Sequence, residues 1–479
     1  MKKNSIIYKT LALVLMVIGF SSCEAYLDVK PKTQIEIDKH FSRESGFNDQ
    51  LVGVYTNMAS TSLYKTNLGV GFAEVLSQNY SINSNSAVWK YVVDYDYTNA
   101  SVEAIINVIW NQLYSCIANV NIIIQNIDNK KDIFTGDNYN LFKGEALGLR
   151  GFLHFELMRM FACAPAMDSK AKGVPYAKQY GTEIPQQVSV EETMKLIIAD
   201  LLASREAFGD KDKYDYYSRT IRGRRFNYYA ATLTLARAYL WMGDKENAQK
   251  YAGELISHLK ENEVTPPFSW VHYTTMEQTQ KTAIDYAYSC EHVFQLPFTD
   301  WDKVSDAYFK KESGANALSP SEDKAAEIFE RDLGMGNDYR YSKNFEQDGE
   351  KKYLSKYWYR DGGQYNGLYP VLRMSEIYYI SAECLAETQR DSALVLLETV
   401  RAARNLSQVP LDKSISSAEL IEEIGKEDRK EFMAEGGQYF FYCKRRNLPI
   451  IEGAPRPASK AVYVLPIPAT DREFGGYSN

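Results

Sequence analysis

An all-α fold of paired helices, interrupted by long irregular loops, is what the sequence predicts. Apolar residues recur at three- and four-residue steps through most of the chain, the spacing of helices with one buried face. The pattern fails in 163–188 and 260–320, stretches rich in Pro, Gly, Ser, Thr and Tyr that read as ordered loops. No low-complexity linker divides the chain, so a single domain with large insertions is expected.

Residues 1–22 read as an address. Lys2, Lys3 and Lys9 form a basic start, and Leu11 to Phe20 is an unbroken apolar run of ten. A bilayer-crossing helix needs about 20 such residues, so the run is a secretory signal peptide. It closes on Phe20-Ser21-Ser22-Cys23, which resembles a bacterial lipobox, although Phe20 stands where leucine is usual. Cys23 is then the lipidation site and the first residue of the mature domain, 23–479. Acyl chains contribute about 0.8 kcal/mol per buried CH2 and hold a domain at a membrane without crossing it.

The helices follow in order. Val102, Ile106, Ile109, Leu113, Ile117, Val120, Ile124 and Ile127 place a wide apolar face on 101–127. Leu141, Phe142, Leu149, Phe152, Leu157 and Phe161 continue over 139–162, ended by Ala164-Pro165. Ser189-x-x-Glu192 opens a helix over 190–208 as a capping box, in which each side chain satisfies an orphan backbone N–H. Around 226–256 (Ala230, Ala236, Leu240, Gly243, Ala248, Ala252) and again around 375–400 (Ser381, Ala382, Leu385, Ala393, Leu397) the pattern spells helix, short turn and second helix. Small residues stand where each pair must approach, and the units resemble tetratricopeptide helix pairs. Trp110 and Trp241 lie on these apolar faces and are expected to be structural.

Composition excludes several classes. The net charge is −7, and the chain from Cys23 carries −10 because 1–22 hold three lysines and no acid. A nucleic-acid binder needs a basic surplus. A mean hydropathy of −0.39 excludes a polytopic membrane protein. The 36 tyrosines are the unusual number, and a ring that packs on one face and hydrogen-bonds at its edge suits a wet recognition surface. Cys116, Cys163, Cys290, Cys384 and Cys443, an odd set with wide spacing, make neither a disulfide framework nor a zinc cluster.

Catalytic signatures are thin. Histidines 40, 154, 258, 272 and 292 form no HExxH and no metal-spaced cluster, Gly69-Val70-Gly71 lacks a third glycine, and there is no GxSxG or Walker sequence. Glu422-Glu423 and Glu427-Asp428 read as a solvated helical face supported by Lys426 and Lys430. Arg222, Arg224 and Arg225 read as local ion pairing, and His154, among Phe152, Leu153 and Phe155, as a core histidine. No catalytic residue, metal or cofactor is expected. The chain reads as a binding protein held at a membrane surface, not an enzyme.

Several segments, in order along the chain, resemble the SusD/RagB family of nutrient-binding outer-membrane lipoproteins of Bacteroidetes. They are the lipobox followed by Tyr26-Leu27-Asp28-Val29-Lys30-Pro31, then Trp110-x3-Tyr114-x2-Ile117-x3-Asn121, and Gly144-Glu145-Ala146 through Arg159-Met160-Phe161 with Gly173-Val174-Pro175. Ala236-Arg237-Ala238-Tyr239-Leu240, Tyr369-Pro370-Val371-Leu372-Arg373, Val400-Arg401-x2-Arg404, Arg429-Lys430-Glu431-Phe432-x2-Glu435-Gly436 and Leu465-Pro466-Ile467-Pro468 complete the set. Gln438 and Phe441 depart from it, standing where the family commonly has an arginine and an aspartate. The resemblance implies tetratricopeptide-like pairs with a loop-built ligand face. It also implies an outer-membrane, lipid-anchored, surface-exposed location and a TonB-dependent SusC-like transporter, to which a captured glycan or oligopeptide is delivered.

Two segments are candidates for the ligand face. Residues 74–97 carry Gln78, Asn79, Tyr80 and Trp89, and residues 270–308 carry Trp270, Tyr273 and Trp301. A sugar has an apolar C–H face and a polar rim; an aromatic ring covers the first and amides bond the second. Trp89→Ala is expected to weaken binding with little loss of stability. A helical scaffold that binds other envelope proteins is the alternative function, carried by the repeat.

Overall fold

The apolar periodicity becomes an array of helices, each packed against the next. The computed structural model describes residues 32–212, 219–261 and 266–479. The signal peptide, Cys23 and Tyr26–Pro31 lie outside them. The long helices are α1 (Glu44–Met58), α2 (Ala100–Ile127), α3 (Asn138–Phe161), α4 (Val190–Phe208), α5 (Tyr228–Trp241), α6 (Lys245–Glu261), α7 (Met374–Leu385), α8 (Arg390–Ala403) and α9 (Ser417–Glu431). From α1 to α8 every helix packs on its successor, and α9 returns onto α7. The helices α5/α6 and α7/α8 are the two predicted hairpins. Among the described residues no helix is long and apolar enough to cross a membrane.

Side-chain caps fix the helix starts. Asn99 accepts from the Ser101 N–H, Asn227 from that of Ala230, and Ser189/Glu192 and Ser416/Glu419 close reciprocal capping boxes. The glycines of the 144–152 segment are there for contact. A Cβ on Gly144 would stand 2.6 Å from the Phe208 ring, and one on Gly148 2.4 Å from that of Phe226, so α4 and the start of α5 could not seat on α3. Trp110, Trp241 and His154 are buried as expected. His154 stacks on Tyr176 at 3.9 Å, and burial lowers its pKa to about 4, so it is neutral near pH 7.

Residues 266–373 leave the array as an insertion, and here the sequence missed short strands. β1 (His292–Pro297) pairs antiparallel with β4 (Leu368–Arg373), and β2 (Phe345–Asp348) forms a hairpin with β3 (Lys351–Leu354). The turn Gly349-Glu350 places glycine at φ 63°, a left-handed conformation that glycine takes without penalty.

The insertion is riveted to the array by buried charge. Arg404 grips Glu291 through two bonds of 2.9 and 2.6 Å and also meets Glu431. Arg340 joins Asp338, Glu427 and Glu431, and Arg401 meets Glu427 at 2.8 Å. Removing one member of such a buried pair costs about 3–5 kcal/mol, because its partner is left charged and dry. This corrects the reading of α9 as uniformly solvated. Glu422 and Lys426 are exposed, but Glu427, Lys430 and Glu431 are fully buried, and guanidinium neighbours hold the Glu427 carboxyl well below its usual range.

Candidate functional site

The chain between α1 and α2 and the insertion meet on one loop-built face. The Ser81 N–H donates to Ser319 O at 3.0 Å, the Ser321 N–H to Ser81 Oγ at 2.8 Å, and the Leu354 N–H to Ser319 Oγ at 2.8 Å. These bonds tie the 81–86 loop, the 314–322 segment and the β2–β3 hairpin into a groove of about 350 Å3. Its walls are hydroxyl, amide and phenol groups from Ser81, Asn83, Ser321 and Tyr353, with Glu350 and Lys351 at the hairpin end and the ion pair Lys352–Glu322 at the side. Further along the same stretch of chain the Trp89 ring packs edge-on to Tyr308 at 6.1 Å, and the Trp89 backbone N–H donates to Ser86 Oγ at 3.2 Å.

The expected residues divide sharply. Gln78, Asn79 and Tyr80 are buried and committed to internal bonds. Gln78, at φ 59°, donates to Val93 O at 2.9 Å, and the Tyr80 hydroxyl to Val70 O at 3.1 Å. Asn79 donates to Glu74 Oε1 and accepts from Arg429 Nε, each at 2.9 Å. Burial raises the Glu74 carboxyl to about 7, against the hydrogen bonds that Asn79 and the Gly437 N–H donate to it. Trp89 is buried, so its removal would leave a cavity, and burial argues against the expected small loss of stability.

In the second segment, Trp301 is buried, stacked on Phe298 at 5.4 Å, and donates Nε1–H to Tyr357 O at 2.7 Å. It backs a small notch shared with Tyr286, Trp358, Tyr365 and Asn366, whose volume of about 30 Å3 admits a water rather than a sugar. Trp270 packs on Tyr378 at 5.0 Å, and Tyr273 is 62% exposed beside His272; neither lines the groove.

Sequence reasoning overlooked Asn83, Ser321 and Tyr353. Asp348-Gly349 between two short β-prone runs was the available hairpin signal for Tyr353. Gln438 and Phe441 turn out to share one neighbour. Gln438 accepts from Arg159 Nη1 at 3.0 Å, and the Arg159 guanidinium lies 4.0 Å over the Phe441 ring. Arg159 is buried in the helical core, so the departure repacks the array rather than the ligand face. Of the arginine cluster, Arg222 pairs with Asp212 ten residues earlier and, with Arg225, reaches Glu145 on α3, while no ion pair of Arg224 is found among the described residues. Among the described residues no group of three or more His, Cys, Asp or Glu side chains is placed to hold a metal.

Residues 25–240 match the family described as "Starch-binding associating with outer membrane", and residues 258–447 match the SusD family. The chain belongs to the SusD/RagB family. Its fold is similar to that of a SusD superfamily protein from Bacteroides vulgatus (TM-score 0.72, 19% identity, 92% of this chain and 98% of that one). It is also similar to a SusD-like carbohydrate binding protein from the same organism (TM-score 0.70, 20% identity, 91% and 97%). The SusD-like protein P25 of Formosa agariphila is 24% identical over 169 residues, 34% of this chain and 31% of that protein, so the match spans about a third of that relative's length.

Proposed function

We propose that the protein is a non-catalytic lipoprotein of the outer membrane, anchored through Cys23, that captures a glycan in the loop-face groove and delivers it to a TonB-dependent SusC-like transporter. The observation that carries the reading is the junction of the 81–86 loop, the 314–322 segment and the β2–β3 hairpin. It collects hydroxyl, amide and phenol groups, flanked by the charged side chains of Glu322, Glu350, Lys351 and Lys352, around a groove of about 350 Å3, within the usual range for a small-ligand site. Gln78, Asn79 and Tyr80 act as positioning residues that hold the loop, and Trp89 packs the chain that follows it, whereas Trp301, Trp270 and Tyr273 lie outside the groove and take no part in this site. The solved SusD-like carbohydrate binding protein supports a glycan over an oligopeptide.

A glycan array on the purified protein, followed by calorimetry of each hit with wild type and Asn83→Ala, tests the binding claim. At least one glycan should bind, and the variant should bind it about tenfold less tightly. No glycan binding, or equal binding by both, would reject the site. Cys23→Ser should yield a folded protein in the soluble fraction, and membrane retention of that variant would refute the anchor.

A further inference from the structure

A second groove, larger than the first at about 490 Å3, runs along the exposed side of α9. Its floor is apolar, made by Ile328, Leu448 and the rings of Tyr439 and Tyr442. Gly425 permits this floor: a Cβ there would stand 2.6 Å from the Tyr442 hydroxyl, so only a bare backbone lets the tyrosine lie against the helix. The rings are already engaged. Arg429 lies 4.8 Å over Tyr439, and Tyr442 is stacked with Tyr439 at 6.3 Å and 12°, an arrangement poorly suited to receiving the C–H face of a sugar.

The lip is built with care. Leu333 is 71% exposed in a short turn between two left-handed residues, Glu330 at φ 51° and Gly334 at φ 97°. A non-glycine residue holds such a conformation only where its surroundings enforce it, and Lys426 and Lys430 both pair with the Glu330 carboxylate. The braced turn thus holds the Leu333 side chain in water at the edge of the apolar floor.

The rim carries four acids, Glu327, Glu330, Glu422 and Glu452, against three bases, Lys426, Arg429 and Arg446. Lys426 is engaged by Glu330, Arg429 by Glu452 at 2.7 Å, and Arg446 is turned onto the Tyr442 hydroxyl and ring. Glu327, one turn from the half-buried Lys324, and Glu422 both reach solvent and form no salt bridge within 4.0 Å among the described residues.

We infer that this groove binds a short peptide, with one apolar side chain seated against Leu333 and Ile328 and a neighbouring lysine or arginine paired with Glu327 or Glu422. The inference does not rest on the glycan reading, since the two grooves share no lining residue.

The test is calorimetry of the detergent-solubilised full-length protein with three acetylated, amidated tripeptides: Lys-Leu-Lys, Glu-Leu-Glu and Lys-Ser-Lys. Lys-Leu-Lys should bind at least tenfold more tightly than either control. Leu333→Ser, a surface change, and the double variant Glu327→Gln/Glu422→Gln should each abolish that preference with an unchanged melting temperature. Equal binding of the three peptides, no binding at millimolar concentration, or a preference surviving in both variants would overturn the proposal. Glycan binding by Leu333→Ser should equal that of wild type; its loss would also overturn the proposal, by making the two grooves one site.

Discussion

Residues 74–80 and 81–86 are consecutive, and both are rich in groups that need hydrogen bonds, yet they do opposite work. Glu74, Ser77, Gln78, Asn79 and Tyr80 are buried, whereas Ser81, Asn83, Ser84 and Asn85 are exposed. The chain reverses between them: Gln78 is left-handed, Lys324 Nζ holds the Tyr80 carbonyl at 3.1 Å, and Ser81 is pinned to Ser319. A polar residue type declares that a partner is required, but not whether the partner is the protein itself or a ligand.

The sharpest break of this comparison is Trp89→Ala. If the buried residues are scaffold, losing the buried Trp89 indole should cost about 3–5 kcal/mol, read as a fall in denaturant midpoint with unchanged slope. A stability loss below about 1 kcal/mol with a large loss of glycan affinity would return Trp89 to the ligand face and erase the distinction.

What was legible in the sequence follows the same division. Helix periodicity, the Ser189/Glu192 capping box and the burial of Trp110, Trp241 and His154 all depend on neighbours within a turn or on one apolar face, and local pattern reports those. The inward turn of Gln78, Asn79 and Tyr80 depends on Arg429 and Val70, and Arg429 is 350 residues from Asn79 in sequence. Glu427 and Lys430 were misread for a related reason. On a helix an i,i+3 acid–base pair looks the same whether solvent or Arg340 and Arg401 stand beyond it. The β2–β3 hairpin, which supplies Tyr353, had a turn signal but lay in weakly patterned sequence.

Glu74 sharpens the comparison through pH. Its carboxyl is raised in the folded protein to about 7 from 4.5, so the folded state binds the proton more tightly. The stability this adds is complete below pH 4.5 and is lost as pH rises through 7, a change of about 3 kcal/mol. Measured against Glu74→Gln, the wild-type advantage should therefore decline across pH 4.5 to 7. A pH-independent difference would mean that water reaches the site. Asn79→Ala comes next, at about 1–3 kcal/mol, because it strips one hydrogen bond from each of two buried polar groups, the Glu74 carboxyl and the Arg429 guanidinium. Chemical denaturation would show it, and a neutral result would place those groups in contact with solvent.

The smallest stability effect belongs to the outward half. Tyr353 lies on the hairpin edge, partly exposed, and its side chain lines the groove without an internal hydrogen bond among the described residues. Tyr353→Ala should thus change folding stability by no more than about 0.5 kcal/mol. A ring lost from the groove wall should nonetheless weaken a bound glycan about tenfold, equivalent to about 1.4 kcal/mol. Tyr353→Phe separates the two parts of that contribution: it keeps the ring and removes only the hydroxyl, so it should recover most of the affinity if stacking dominates and little if the hydrogen bond does. Asn79→Ala measured alongside should show the reverse profile, a stability loss with affinity restored under conditions where the protein is fully folded. If both variants lose stability and affinity in proportion, the loop behaves as one unit and the division between its inward and outward halves has no functional meaning.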